Sequence, residues 1–324
     1  MNIAITELRT KLINLLSKNF SEDDAAKITD YLVWAEMSGN KTQGIVKLTG
    51  TEPLQNIIPE HEIRVERETK LSQLINAGAN PAPLVTQIAT QIAIEKAKEH
   101  GFAIVGVHNI HTSNGAQAYY AEQIARNDLI GIVTTRSAAA VAVFGGIDPI
   151  FGTNPIGFSF PTHDDPIVFD TATSALTWYG LVVAKTRGES IPENVAIDTN
   201  GQPTTDPVEA MNGALLPFDR TYKGAGFGMV SELLAGPLVK ATYGQVEGEW
   251  GSLLIAIDPN LLVDTNEFKD GSTDLLRKIK ASRKADDVAG IRIPGESSAN
   301  KRRQAEMSGF VEVDDAVYSQ LWSD

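Results

Sequence analysis

The sequence predicts an α/β fold, in which helices alternate with short buried strands. Residues 102–107 (FAIVGV) form an apolar run suited to a buried strand, and they follow an amphipathic helical pattern over residues 81–100. A second helix is predicted over about residues 116–126, just before a second apolar run, LIGIVTT. This alternation is typical of layered α/β architectures, but it does not give the order of the strands.

The elements on either side follow from the same rules. Leucines at helical spacing, then Ser21 and Asp24 in a capping-box-like arrangement, predict a helical hairpin at the start of the chain. Residues 143–161 are rich in glycine and proline and predict a structured loop. PIVFD predicts a strand ending at Asp170, and the following TATSALTWYGLVVAKTRG predicts a helix.

Three later elements complete the pattern. A helix is predicted over residues 226–243 with an interruption at Gly236-Pro237, because proline cannot continue a helix hydrogen-bond ladder. SLLIAI predicts a third buried strand, and a helix follows over about residues 267–282. Near the end, IRIPGE precedes a helix that contains KRRQAE.

Composition restricts the function. The 324 residues are enough for a sizeable core and predict two lobes. The net charge of −13 and the pI near 4.9 argue against nucleic-acid and membrane binding, since phosphate backbones and anionic lipids would be repelled. The absence of cysteine excludes disulfides, thiolate catalysis and cysteine-ligated zinc. With no apolar stretch of signal-peptide or transmembrane length, we expect a cytoplasmic protein.

Histidine is the natural acid/base residue near neutral pH, and the chain has five histidines. His111 is the best candidate, because it lies just after a predicted strand and before a helix, where loops of α/β proteins meet ligands. The alternative is an ordinary loop histidine. Spacing predicts no metal site, since the HxxH formed by His108 and His111 lies in a loop without a neighbouring acid. Serine-based nucleophilic catalysis lacks a GxSxG elbow.

A dinucleotide needs backbone N–H groups and cations around its phosphates. Residues 224–228 (GAGFG) and the 143–161 loop are the glycine-rich candidates, but neither is a Rossmann GxGxxG fingerprint. Lys223 adds a positive charge beside the first of them, although an exposed surface lysine explains it equally well. Asp170 at a strand end is explained at least as well by helix capping as by a catalytic role.

Five segments carry a family resemblance: FGTNPIGFSFP, VFDTATS, GESIPENVAIDTNGQPTTDP, KGAGFGMVSELLAGPL and IRIPGES. Together they resemble the type 2 malate/L-lactate dehydrogenase family, which includes ureidoglycolate dehydrogenase, sulfolactate dehydrogenase, diketogulonate reductase and cyclic-imine reductase members. The resemblance implies a mixed-sheet, non-Rossmann nicotinamide-binding domain with a second, largely helical lobe. It also implies a homodimer with the active site near the subunit boundary.

Three regions are expected on this basis. Residues 1–80 form an N-terminal helical lobe that carries the substrate loop and is joined by the C-terminal segment. Residues 81–290 form the central α/β cofactor-binding region, and residues 291–324 close on the cofactor.

The resemblance also implies the site residues. His111 falls at the place of a family histidine that acts as general acid/base, although its spacing to the following tyrosines is longer by one or two residues than the usual pattern. The residues implied to contact NAD or NADP are Asp170, Thr171, Ala172, Lys223, Gly224, Pro294, Gly295 and Glu296.

The N-terminal substrate loop departs from the family pattern. Many members have Ser-His-Gly followed by Arg, whereas this chain has Thr42, Gln43 and Gly44 and then Lys47. Gln43 cannot exchange a proton as histidine does, because an amide does not titrate in the working range. Lys47 keeps the positive charge but not the bidentate fork of arginine. The substrate is therefore expected to differ.

We expect hydride transfer between NAD(P) and a small 2-hydroxyacid or 2-oxoacid, with Lys47 and Thr42 holding the carboxylate. One alternative is a cyclic 2-imino-carboxylate reductase of the same fold, which Gln43 favours. The other is a catalytically silent relative that binds a nucleotide. The sequence does not distinguish NAD from NADP.

Overall fold

A computed structural model describes residues 1–49, 53–244 and 250–322. Its α-helices are α1 Ile5–Leu16, α2 Glu22–Met37, α3 Ala82–His100, α4 Gln117–Ala125, α5 Trp178–Arg187, α6 Pro207–Asn212, α7 Tyr222–Ala235, α8 Thr265–Ala281, α9 Glu296–Ser308 and α10 Asp315–Trp322. Its strands are β1 Asn2–Ala4, β2 Arg64–Glu68, β3 Ser72–Asn76, β4 Phe102–Ile110, β5 Ile130–Arg136, β6 Val141–Ala142, β7 Pro149–Phe151, β8 Ile156–Phe160, β9 Ile167–Thr171, β10 Ala196–Ile197, β11 Ala214–Leu215, β12 Trp250–Ile257 and β13 Phe310–Glu312.

A seven-stranded sheet forms the centre of the molecule, in the order β2-β3-β4-β12-β5-β8-β9. Only β3 and β4 pair in parallel, and the other neighbours are antiparallel. The sheet is therefore mixed and differs from the parallel sheet of a Rossmann domain. This confirms the predicted fold class. The strand order also places the end of β9, where Asp170 lies, at one edge of the sheet.

The N-terminal helices share one core with this sheet. Leu8 and Leu12 of α1 and Leu32 of α2 are fully buried, in the same cluster as Val105 of β4 and Leu254 of β12. The predicted cap is present, since the Ser21 side chain accepts a hydrogen bond from the backbone N–H of residue 24. The C-terminus returns to this region because β13 pairs antiparallel with β1.

A smaller second sheet, β10-β11-β6-β7, lies beside its own apolar cluster. Leu181 of α5 and Leu215 of β11 are fully buried in that cluster. The long helix α7 ends at Ala235, before Gly236 and a 3-10 turn at Pro237–Val239, as the proline position predicts. Within the described ranges, none of the helices has the length and apolar character needed to cross a membrane.

Several elements differ from the predictions. The hairpin β2-β3 was not anticipated, since β2 is exposed along its whole length and has no alternating apolar pattern. The 143–161 region contains both β7 and β8, because antiparallel partners stabilise strands despite the glycines and prolines. The helix after Asp170 begins only at Trp178, where Thr177 caps it.

Candidate active site

The end of β9 lies against the C-terminal segment at Gly295 and against helix α7. The segment from Val168 to Thr173 leads from the large sheet towards α7 and has neighbours on three sides. Asp170 Oδ2 accepts a 3.0 Å hydrogen bond from the backbone N–H of Ala118, at the start of α4. Gly295 packs against Val168, and Gly228 of α7 lies beside Thr173. Three separate parts of the sequence are thereby held around one short stretch of chain.

Asp170 is enclosed at the beginning of α4. Burial raises its pKa to about 6, and hydrogen bonds from the backbone N–H groups of Ala118 and Gln117 offset that effect only in part. A carboxylate at a helix N-terminus is favoured by the exposed N–H groups and by the helix dipole. The capping role considered from the sequence is therefore present, but the helix it caps is α4 rather than the one that follows it.

Gly295 needs its glycine identity. Its φ is +82°, and a Cβ atom at this position would lie 2.8 Å from the Val168 carbonyl oxygen. The next residue, Glu296, pairs with Lys280 at 2.6 Å, which lowers the pKa of the Glu296 carboxyl. Pro294 is exposed. The C-terminal segment thus lies directly on β9 at Val168.

A cavity of about 190 Å³ opens beside these residues. Its lining includes Asn40, Ala118, Asp170, Gly295 and Ser298. Drug-sized ligand sites usually measure roughly 300 to 1,000 Å³, so this cavity suits a single ring or a small acid. It joins the region just before the predicted substrate loop to the predicted cofactor segments.

A larger cavity of about 730 Å³ adjoins the first, since Trp34, Glu122 and Arg302 line both. Arg302 binds both carboxylate oxygens of Glu122 at 2.7 Å and lies over the Trp34 ring at 4.9 Å. It also donates to the Ser38 hydroxyl at 3.0 Å. These contacts attach α9 to α2 and α4, and so fix the position of the segment that precedes α9.

Lys223 and Gly224 lie at the beginning of α7, after the capping residue Thr221. Gly224 N–H donates to Asp219 at 3.0 Å. The Lys223 side chain is exposed, and its ammonium makes no contact with another polar group of the described chain. Among the described residues, no atom beyond the neighbouring residues and backbone of α7 lies within 4 Å of where a Cβ of Gly226 would be. A free cation and an open helix N-terminus are what a phosphate group requires.

The loop that follows β4 connects His111 to α4 and lies over a chain of buried polar groups. Asn114 donates to Thr86 at 3.0 Å and to Ser252 at 2.5 Å. Ser252 in turn lies 3.1 Å from the Thr135 hydroxyl. These side chains come from α3, β12 and β5, so the loop is tied to the centre of the large sheet.

Gln43 meets this loop from the other side. A Cβ at Gly115, whose φ is +79°, would be 3.4 Å from Gln43 Oε1 and only 1.7 Å from the Tyr31 hydroxyl. The Tyr31 hydroxyl accepts from the backbone N–H of Ala116 at 2.9 Å, and burial raises the Tyr31 pKa far above its ordinary value. Gln43 Oε1 is buried and has no hydrogen-bond partner among the described residues.

Lys47 belongs to the same substrate loop. The loop is held by Glu36, which accepts from the backbone N–H of Ile45 at 2.8 Å and pairs with Lys41 at 3.2 Å. Burial lowers the pKa of Lys47 to about 8. Lys47 keeps some solvent contact, and within the described ranges its ammonium has no acidic or hydrogen-bonding partner. An enclosed cation of this kind is suited to an anionic ligand.

The side chains of Thr42 and His111, the remaining predicted residues, make few contacts in the described chain. Thr42 is exposed, and its hydroxyl lies 3.2 Å from Asn40 Oδ1, whose residue lines the smaller cavity. The backbone of His111 is fixed by a bridge to Pro81, but its imidazole is exposed and has no hydrogen-bond partner in the described chain. No group of three or more metal-ligating side chains occurs in the ranges that the structure describes.

Sequence reasoning missed Tyr31, Asn40, Asn114 and Ser252. Tyr31 and Asn114 resemble ordinary core and loop residues in the sequence, and their role depends on contacts between distant segments. The signal available in this region was the family resemblance at His111 and at the tyrosines that follow it.

Comparison with known proteins shows the family to which the chain belongs. The model of the malate/L-lactate dehydrogenase family matches residues 3–322, and the chain belongs to that family. The malate/(S)-sulfolactate dehydrogenase of Methanothermus fervidus is 36% identical, over 99% of this chain and 96% of its own. The ureidoglycolate dehydrogenase (NAD(+)) of Escherichia coli O157:H7 is 31% identical, over 96% of this chain and 91% of its own.

Two further comparisons bear on the site. The Δ1-pyrroline-2-carboxylate/Δ1-piperideine-2-carboxylate reductase of Pseudomonas putida is 28% identical, over 95% of this chain and 93% of its own. The solved sulfolactate dehydrogenase of Methanocaldococcus jannaschii superposes with a TM-score of 0.86 at 31% identity, covering 99% of this chain and 95% of that one. The family predicted from the sequence motifs is confirmed.

Proposed function

We propose that this protein is an NAD(P)-dependent oxidoreductase that transfers hydride between the nicotinamide and a small 2-hydroxyacid or 2-oxoacid. The observation that carries the proposal is the convergence around β9. Gly295 and Gly228 of α7 lie against the segment that contains Asp170, and a cavity lined by Asp170 and Gly295 reaches Asn40, just before the substrate loop. Relatives over nearly the whole chain are named malate, sulfolactate and ureidoglycolate dehydrogenases.

The residues present fit a nicotinamide dinucleotide. Lys223 and the N-terminus of α7 would hold the diphosphate, since both offer positive charge to an anion. Asp170, Thr171 and Ala172 would lie against the nicotinamide end, with Pro294, Gly295 and Glu296 closing over it. The cofactor would supply or accept the hydride, and NAD and NADP are both compatible with these contacts.

Lys47 supplies the charge that a small acid needs. Its enclosed ammonium would pair with the substrate carboxylate, with Thr42 beside it. His111 would remove the hydroxyl proton during oxidation and return it during reduction. Holding the acid next to the cofactor accounts for much of the expected rate, because positioned reactants avoid the entropy cost of meeting.

A cyclic 2-imino-carboxylate is the second candidate substrate. It is favoured by Gln43, whose buried and unpartnered Oε1 accepts a hydrogen bond but cannot titrate. An iminium N–H would satisfy that oxygen, whereas a 2-oxo oxygen would not. The reductase name of the Pseudomonas putida relative is consistent with this alternative.

The exposed face of α7 supports a homodimer. Phe227, Val230 and Leu233 are 51%, 44% and 54% exposed on this helix, and Leu238 just beyond it is 55% exposed. A contiguous apolar face of this kind is typical of a subunit interface. Lys223 begins the same helix, so a second copy seated there would place the cofactor site close to the subunit boundary.

The test is oxidation of NADH and NADPH, followed by absorbance, with pyruvate, oxaloacetate and other 2-oxoacids and with Δ1-pyrroline-2-carboxylate. Turnover of a 2-oxoacid supports the main proposal, and turnover of the cyclic imine alone supports the second. If the protein binds the cofactor but turns over neither class, the catalytically silent alternative replaces both. Heat-denatured protein is the control.

A further inference from the structure

We propose that the hydroxyl of Thr112 contacts the substrate and donates a hydrogen bond to its 2-oxo oxygen. This inference rests on the proposed function, because it takes a 2-oxoacid as the ligand. Thr112 immediately follows His111, in the loop between β4 and α4. The family resemblance assigns it no role.

The backbone of Thr112 is strained. Its φ is +71°, and it is the only β-branched residue with a positive φ among the described non-glycine residues. Branching at Cβ makes this region especially unfavourable, so such a residue is a genuine outlier. Strain of this kind persists only where neighbouring structure imposes it, and it concentrates at ligand sites.

Hydrogen bonds on both sides of Thr112 hold its backbone in the strained conformation. On one side, the His111 N–H donates to Asn80 at 3.2 Å, and the His111 carbonyl accepts from Ala82 at 3.1 Å. On the other side, Asn114 is tied to Thr86 and Ser252. Thr112 lies between these two fixed points. Glycine or asparagine would fit the same backbone with less strain, so the threonine side chain is not explained by local conformation.

The hydroxyl itself has no protein partner. Thr112 Oγ1 is buried and makes no hydrogen bond with the described residues, although a buried hydroxyl normally has a partner. The substrate loop meets the same turn from the other side, because a Cβ at Gly115 would lie 3.4 Å from Gln43 Oε1. A buried hydroxyl without a partner in the described chain, beside the substrate loop that carries the enclosed Lys47, indicates a polar ligand that accepts a hydrogen bond from Thr112.

The chemistry of the ligand follows from these groups. The ammonium of Lys47 pairs with a carboxylate, and a hydroxyl that donates fits the adjacent oxo oxygen. A hydrogen bond to that oxygen strengthens as negative charge develops on it during hydride addition, so the contact favours reduction of a 2-oxoacid. The hydroxyl remains intact and forms no covalent bond.

Oxamate is a suitable probe, since it carries a carboxylate and an adjacent carbonyl oxygen but is not reduced. Its affinity is measured in the presence of NADH for the wild type and for Thr112→Val, which removes the hydroxyl while preserving the shape and the branching. Thr112→Ser keeps the hydroxyl. Thr29→Val is the matched control, because Thr29 Oγ1 is also buried and unpartnered but lies on α2 within the core.

We expect Thr112→Val to bind oxamate about 2- to 10-fold more weakly, the range for one neutral hydrogen bond. Its unfolding temperature should not fall, because no protein hydrogen bond is lost. Thr112→Ser should retain more affinity than Thr112→Val, and Thr29→Val should bind as the wild type does.

Unchanged oxamate affinity in Thr112→Val overturns the inference and leaves the proposed function intact. A fall in its unfolding temperature, or an equal loss of affinity in Thr29→Val, also overturns it, because either result assigns the effect to folding. If the wild type binds NADH but neither binds oxamate nor reduces any 2-oxoacid, the proposed function fails first and the role of Thr112 fails with it.

Discussion

Replacing Lys47 with methionine should stabilise the protein and weaken carboxylate binding in the same variant. Burial lowers the pKa of Lys47 from 10.5 to about 8, a difference of about 2.5. Since each pKa unit corresponds to about 1.4 kcal/mol, enclosing the charge costs the folded state at most about 3 kcal/mol near neutral pH. This is an upper limit because the side chain keeps some solvent contact.

The stabilisation should depend on pH in a defined direction. Below about pH 8 the amine is charged in both the folded and the unfolded chain, so the full cost of enclosure is present. Between about pH 8 and 10.5 the folded chain has lost the proton while the unfolded chain still holds it. The stability of the wild type therefore rises with pH in this window, and the advantage of Lys47→Met shrinks.

Thermal unfolding at pH 7 and pH 10, with oxamate binding in the presence of NADH at pH 7, measures both effects. Lys47→Met should unfold a few degrees higher than the wild type at pH 7. Its affinity for oxamate should fall roughly 10- to 150-fold, because a charge-assisted hydrogen bond is lost. Lys47→Arg should retain most of the affinity, since it keeps the charge.

Lys185→Met is the matched control, because Lys185 is exposed on α5. It should change neither the unfolding temperature nor oxamate binding. A Lys47→Met variant that unfolds at or below the wild-type temperature at pH 7, or that binds oxamate as the wild type does, would refute the reasoning.

Three further outcomes are expected. His111→Asn should lower turnover about 10²- to 10⁴-fold with cofactor binding retained, and an unchanged steady-state rate would remove His111 from the mechanism. Burial raises the pKa of Asp170 from 3.8 to about 6, so the wild type should lose stability as the pH rises from about 4 through 6. Asp170→Asn should lose this dependence, and parallel unfolding-temperature curves for the two proteins would contradict the assignment. Leu233→Arg should convert a dimer to a monomer in sedimentation, and a monomeric wild type would show that the α7 face is not a subunit interface.

The central fold could be predicted because its strands and helices have clear local patterns. FAIVGV and SLLIAI are buried strands in the structure, and Gly236-Pro237 ends α7 where expected. The hairpin β2-β3 could not be predicted in the same way. Its first strand is exposed throughout and is held by pairing with β3, which itself pairs with β4. Long-range pairing of this kind leaves no local signal in the sequence.

The candidate site was predicted in pieces. The family resemblance supplied Asp170, Gly295 and Lys223, and the structure places Gly295 and the middle of α7, the helix that Lys223 begins, against the segment of Asp170. The family resemblance did not show that Gln43 meets Gly115. That contact depends on how a 3-10 turn after α2 lies against a loop after β4. The strain at Thr112 was equally invisible, since threonine in a loop is unremarkable until its φ is known.

The source of the proton is the main mechanistic question that these positions raise. Gln43 and Thr112 do not titrate in the working range, whereas Lys47, whose pKa is lowered to about 8, does. The roles of His111 and Lys47 make different demands in the two directions of the reaction. His111 gives a proton to the substrate oxygen in reduction and takes it back in oxidation. Lys47 must be charged to bind the acid in either direction, so both rates should fall as the pH rises above about 8. If Lys47 rather than His111 supplied the proton, the slopes around pH 8 would be opposite in the two directions, and Lys47→Arg would lose turnover while still binding oxamate.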